Sequence, residues 1–168
     1  MTPRPTRRAV LLAGAALAVV RPTSALAAPA DDVAALNALL AVEHAAIYDL
    51  AAAGGTLSLV TRAVVVRHYD EHRARRDVLT QRIRVLGGAP VAALPAYADP
   101  VLGPDGTADI VAVEAACVQA YHAAIGSVAD QLSRRICATA FIDECRHLAL
   151  AKSAGGQAGA PDPFVTGR

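Results

Sequence analysis

The sequence predicts an all-α protein, a four-helix bundle with a long crossover between helices 2 and 3. Three observations predict it. Good helix formers (Ala, Leu, Arg and Glu) dominate the chain. Apolar residues recur at alternating spacings of three and four along four segments, the mark of one buried helix face. A proline-rich stretch separates those segments into two pairs. With 168 residues, 54% hydrophobic and 18% charged, the chain suits one globular domain with a real core. Aromatics are only 4% and alanine supplies much of the apolar content, so helices that approach closely through small side chains are expected.

Residues 1–27 read as an export signal. Arg4, Arg7 and Arg8 form a basic start, Ala9 to Val20 is a modest apolar run, and Ala25-Leu26-Ala27 is a small-x-small cleavage signal. Thr6-Arg7-Arg8-Ala9-Val10-Leu11 resembles a twin-arginine signal, which implies the twin-arginine export machinery as a partner and an extracytoplasmic destination. An ordinary secretory signal is the other reading. Cleavage leaves no stable membrane anchor. It also removes four of the 16 basic residues and none of the 15 acidic ones, so the mature chain carries a net charge of −3. That balance gives no nucleic-acid footprint.

Residues 28–154 form the predicted bundle. Asp31 and Asp32 offer an N-cap for helix 1, whose stripe is Val33, Leu36, Leu40, Glu43, Ile47 and Leu50. Gly54-Gly55 ends it. Helix 2 starts near Thr56 or Ser58 and ends at Gly87-Gly88, with the stripe Val65, Tyr69, His72, Arg76, Leu79, Ile83 and Leu86. The short link makes helices 1 and 2 antiparallel neighbours. Residues 87–106 hold Pro90, Pro95, Pro100 and Pro104, and can reach roughly 60 Å, enough to cross the bundle. Helix 3 begins near Thr107, with the stripe Ile110, Glu114, Cys117, Tyr121 and Ala124. Asp130 caps helix 4, which runs to about Ser153. Its facing stays open between Leu132/Ile136/Leu150 and Cys137/Ala140/Glu144/His147/Ala151. Residues 155–168 read as a flexible tail.

Polar groups stand where apolar ones belong: Glu43, His72, Glu114, and the i, i+3 pair Glu144 and His147. A buried carboxylate or imidazole is costly unless paired or bound to metal. Counted from the two turns, Glu43 lies one turn from His72, and Glu114 lies near Glu144 and His147. Each half of the chain repeats one design, a Glu opposite a motif that ends in His. That pattern resembles the ferritin-like diiron proteins, which place one Glu on helices 1 and 3 and a Glu-x-x-His pair on helices 2 and 4. Tyr69-Asp70-Glu71-His72 departs from it with Tyr in the Glu position, so five of six ligand positions are filled. Together with Val42 to Ala46, Tyr69 to Asp77 and Gly87-Gly88-Ala89-Pro90, the chain also resembles an exported, uncharacterised ferritin-like family of high-GC bacteria, known as a domain of unknown function.

The resemblance implies a metal site at Glu43, His72, Glu114, Glu144 and His147, for iron or manganese, and, if the bundle is an enzyme, a diiron-type oxidoreductase for metal oxidation or peroxide disposal. The other reading is a metal-free structural or interaction module, in which Arg76 takes the cation's place among the carboxylates. Tyr69 and Tyr121 are candidates to hydrogen-bond a ligand, with ordinary packing as the alternative. His68 is expected half exposed. Asp70, Glu71, Arg73, Arg75, Arg82 and Arg84 are expected on a solvated face. Cys117 and Cys137 sit on facing stripes, which admits a disulfide or two buried thiols. No nucleophile elbow or phosphate loop is present. A homo-oligomer is compatible with the sequence.

Overall fold

The computed structural model describes residues 29–54, 57, 59–97 and 107–159. The predicted export signal, residues 98–106 of the crossover and residues 160–168 of the tail lie outside them. The described residues form four helices and no strand: α1 (Pro29–Ala53), α2 (Leu59–Val85), α3 (Thr107–Ser127) and α4 (Gln131–Ala154). The protein is an all-α four-helix bundle. Pro29 opens α1, where its missing N–H costs no helical bond. Asp130 caps α4 by accepting the Ser133 amide. Gly87, at φ 81°, turns the chain out of α2 in the left-handed conformation that glycine adopts freely. A Cβ on Gly88 would stand 2.4 Å from Val33 Cγ1, so the end of α2 touches the start of α1 through a missing side chain.

α1 packs on α2 and on α3, and α4 packs on α3 and on α2. Asp32 at the start of α1 meets the α3–α4 turn, so α1 and α3 run antiparallel. Arg82 at the end of α2 meets Asp130 and Ser133 at the start of α4, so α2 and α4 do too. The chain must therefore pass from one end of the bundle to the other between α2 and α3. Its first stretch runs along α1: Asn37 donates to the Ala89 carbonyl and accepts from the Val91 amide, and Tyr97 lies against Tyr48.

The buried face of α4 is Ser133, Cys137, Ala140, Glu144, His147 and Ala151, while Leu132 and Leu150 are about half exposed. The apolar core is split in two. One cluster gathers Leu36, Leu40, Leu79, Ile83, Tyr121 and Cys137 near the α3–α4 turn. The other gathers Leu50, Leu57, Val65, Ile110 and Ala151 at the opposite end. The buried glutamates and histidines of the four helices occupy the level between them.

Asp32 is not the N-cap the sequence suggested. α1 begins three residues earlier, and the buried Asp32 carboxylate accepts the Ala129 and Asp130 amides at 2.7 and 2.8 Å. It ties α1 to a turn 97 residues away. Asp32→Ala leaves two amides unsatisfied, and chemical denaturation is expected to show a loss of about 2–3 kcal/mol.

Candidate metal centre

Each helix delivers part of one buried cluster from its inward face. α1 supplies Glu43, α2 supplies His68 and His72, α3 supplies Glu114, and α4 supplies Glu144 and His147. None is more than 1% exposed. Hydrogen bonds divide their polar atoms into two sets. In the outer set, His72 Nδ1 donates to Glu43 Oε2 at 2.7 Å, and the Tyr121 hydroxyl donates to Glu43 Oε1 at 2.5 Å. His147 Nε2 donates to Glu71 Oε2 at 2.6 Å. His68 Nδ1 donates to Glu114 Oε1 at 2.8 Å, and the Arg75 guanidinium donates to Glu144 Oε1 at 2.6 Å.

The inner set is left over. His72 Nε2, Glu114 Oε2, Glu144 Oε2 and His147 Nδ1 are buried and make no hydrogen bond, and His68 Nε2 is a fifth buried atom without one. The first four face one another: Glu114 Oε2 lies 3.5 Å from both His72 Nε2 and His147 Nδ1, and Glu144 Oε2 lies 3.7 Å from His147 Nδ1. Donor atoms about 2.1 Å from one ion stand roughly 3.0–3.4 Å apart, so the inner set is nearly at coordination spacing. His72, Glu114, Glu144 and His147 each offer a ligand atom within 4.8 Å of the others. Two imidazole nitrogens and two carboxylate oxygens fit iron, manganese or zinc. The outer bonds leave His72 Nε2 and His147 Nδ1 facing inward, the carboxylate–histidine arrangement common behind metal ligands.

Electrostatics follow from the same contacts. Burial lowers the His72 pKa, but Glu114 and Glu43 outweigh it and hold the imidazole at about 10. Burial likewise lowers that of His147, and Glu114 and Glu144 raise it to about 9. Burial pushes Glu114 up, yet the three imidazoles hold it far below the usual carboxylate range. Glu144 is raised, burial prevailing over His147, His72 and Arg75. Glu71 is 31% exposed; its partial burial raises the pKa, and Arg67 and His147 outweigh it and bring it to about 2.

The structure brings four of the five sequence-predicted ligands together. Glu43 stands behind them, because Tyr121 and His72 engage both of its oxygens. His68, expected half exposed, is fully buried and stacks on His147 with ring centroids 3.9 Å apart. The cation beside the carboxylates is Arg75 and not Arg76, which turns out to Asp77. Arg75 and Arg82 leave the solvated face assigned to them, and Glu71 stands at its edge, between Arg67 and His147. Tyr69 packs against the apolar cluster at the far end, beneath Arg73. The physical reason is a choice of stripe on α2. Positions 65-68-72-75-79 satisfy alternating spacings as well as 65-69-72-76-79 do, and only the first set brings His68 to Glu114 and Arg75 to Glu144. Cys117, Cys137 and Cys145 are free thiols, so the disulfide considered for Cys117 and Cys137 is not formed. The two lie at different levels: Cys117 feels Glu144, Glu43 and Glu114, whereas Cys137 feels Asp32 at the bundle end.

The fold is similar to that of a conserved hypothetical protein from Mycobacterium tuberculosis known from a crystal structure. The TM-score is 0.70 and the identity 23%, over 74% of this chain and 97% of that one. A comparison with the curated proteins found no match. Residues 35–158 match the family model described as Domain of unknown function (DUF4439), and the chain belongs to that family.

Proposed function

We propose that the protein is an exported, ferritin-like protein that holds one iron or manganese ion at His72, Glu114, Glu144 and His147. The carrying observation is the inner set of four buried ligand atoms, facing one another without hydrogen-bond partners. Buried polar atoms are nearly always satisfied, and an ion would satisfy all four at once. The antiparallel α1/α3 and α2/α4 pairs, joined by a crossover along the bundle, support the ferritin-like reading. A single ion is favoured because three features close a second position. Tyr69 replaces a carboxylate, Glu43 has both oxygens engaged, and the Arg75 guanidinium lies on Glu144.

The chain's own residues would do the positioning. Glu43, held by Tyr121, orients His72, Glu71 orients His147, and Arg75 fixes Glu144. The apolar clusters above and below exclude water. An iron or manganese ion bound there would supply one-electron chemistry suited to metal oxidation or peroxide disposal. The Arg7-Arg8 signal supports twin-arginine export to an extracytoplasmic compartment, a route that carries folded chains. Residues 30–53 and 109–127 are long and apolar enough to cross a membrane by length and composition. Each carries a core-facing glutamate at the bundle's polar level, which supports a role as core helix.

The second reading is a metal-free bundle with an internal Arg–carboxylate network. It is favoured by the Arg75–Glu144 pair and by the raised His72 and His147 pKa values, since two imidazolium protons supply the same charge as one divalent ion.

Elemental analysis of natively exported protein, purified without chelator, is expected to give about one iron or manganese per chain. His147→Ala should abolish it, and Glu43→Gln should weaken binding by about 10–100-fold. No metal after anaerobic reconstitution with ferrous iron would leave the metal-free network. In the metal-free protein the sign of the pH dependence is fixed. His72 and His147 have raised pKa values of about 10 and about 9, so their stabilisation is complete below 6.5 and lost as pH rises through 9 to 10. Thermal melting should show a midpoint that falls from pH 7 to pH 10.

A further inference from the structure

A cleft of about 320 Å³ lies between α2 and α4, beside the metal centre and separate from it. Val78 and Leu79 form one wall, Ile136 and Ala140 the other, and Tyr121 of α3 the floor. It exists because Ala74, Thr139 and Ala140 leave space where larger side chains would close the helices together. Its volume is that of a small-molecule pocket and too small for a partner helix.

The two ends differ in charge. At one end Arg135 is exposed, and among the described residues it has no ion pair or hydrogen bond. The nearby Asp130 is already committed to Arg82 and to the Ser133 amide. At the other end Asp143 and Glu144 already hold Arg75 and Arg146. The charges at that end balance, so the unpaired Arg135 is what attracts an anionic group to its end of the cleft. Eight residues of α4 separate Arg135 from Asp143, a rise of roughly 12 Å, the length of an extended chain of about nine carbons.

We propose that this cleft binds a free medium-chain carboxylate, with the carboxylate on Arg135 and the alkyl chain along Val78 and Ile136, over the buried Leu79, Ala140 and Tyr121. Tyr121 and Arg75 bond Glu43 and Glu144, so the bound chain lies one side chain away from the metal centre. The binding itself does not depend on the metal.

Isothermal titration of the full-length protein with nonanoate, and with nonan-1-ol as the uncharged counterpart, tests the assignment. Saturable binding of one nonanoate per chain is expected. Arg135→Ala should weaken nonanoate at least ~10-fold and leave nonan-1-ol unchanged. Thr139→Trp, which fills the cleft from an exposed position, should weaken both. Melting temperature and metal content of each variant are read in parallel. Nonanoate binding by a protein that holds no metal keeps the cleft and removes the metal reading. A metal-loaded protein that does not bind nonanoate overturns the cleft proposal. So does binding unchanged in Thr139→Trp, or an equal loss of acid and alcohol in Arg135→Ala. A concentration-dependent dimer broken by Thr139→Trp, without nonanoate binding, would assign the cleft to a second copy of the chain instead.

Discussion

Three carboxylates and three imidazoles share the middle of a bundle from which water is excluded, and the rest of the structure depends on their mutual satisfaction. A fully buried leucine contributes about 2 kcal/mol. One buried charge left without a partner costs about 3–5 kcal/mol, which offsets about two such leucines. The bundle meets this constraint by pairing in layers. Glu43 takes His72 and Tyr121, Glu114 takes His68, Glu144 takes Arg75, and Glu71 reaches in from the edge to His147. The pairing remains incomplete at the centre, where four atoms face one another with nothing between them to bond. Protons or a cation must supply the missing charge there, and both metal-bound and metal-free readings begin from that fact.

The split core serves the same constraint. Apolar clusters at both ends keep water from the polar level, which strengthens every ion pair within it. Asp32 adds a tether that holds the α3–α4 turn against α1, and Gly88 lets α2 close on Val33. These contacts fix the register of the helices, and register decides which carboxylate meets which base. Small side chains have a second consequence. Where Ala74 of α2 and Thr139 and Ala140 of α4 line the cleft, the two helices do not fill the space between them, and the side of the bundle nearest Tyr121 and Arg75 stays open.

The comparisons carry the fold and the family further than the chemistry. A structural relative at 23% identity shares the architecture, and the family itself is described only as a domain. Tyr69 in a carboxylate's place and Arg75 on Glu144 distinguish this chain's centre from a symmetric pair of Glu and Glu-x-x-His motifs.

The sequence by itself determined the four helices, the pairing of 1 with 2 and 3 with 4, and the need for a chain crossing the bundle. Short turns, the Asp130 cap of α4 and hydrophobic spacing are local signals, and they survive translation into structure. It also singled out Glu43, His72, Glu114, Glu144 and His147, because a charge on an apolar stripe is visible without coordinates. Only the tertiary structure decided between His68 and Tyr69, between Arg75 and Arg76, and between the two stripes of α4. Adjacent residues on a helix differ by about 100° in direction, and alternating three-four spacing accepts either. The choice was made by what stood across the bundle, where carboxylates on α3 and α4 required a hydrogen-bond donor. The roles of Glu43, Glu71 and Asp32 were decided in the same way, since each depends on a partner distant in sequence and visible only once the helices are packed.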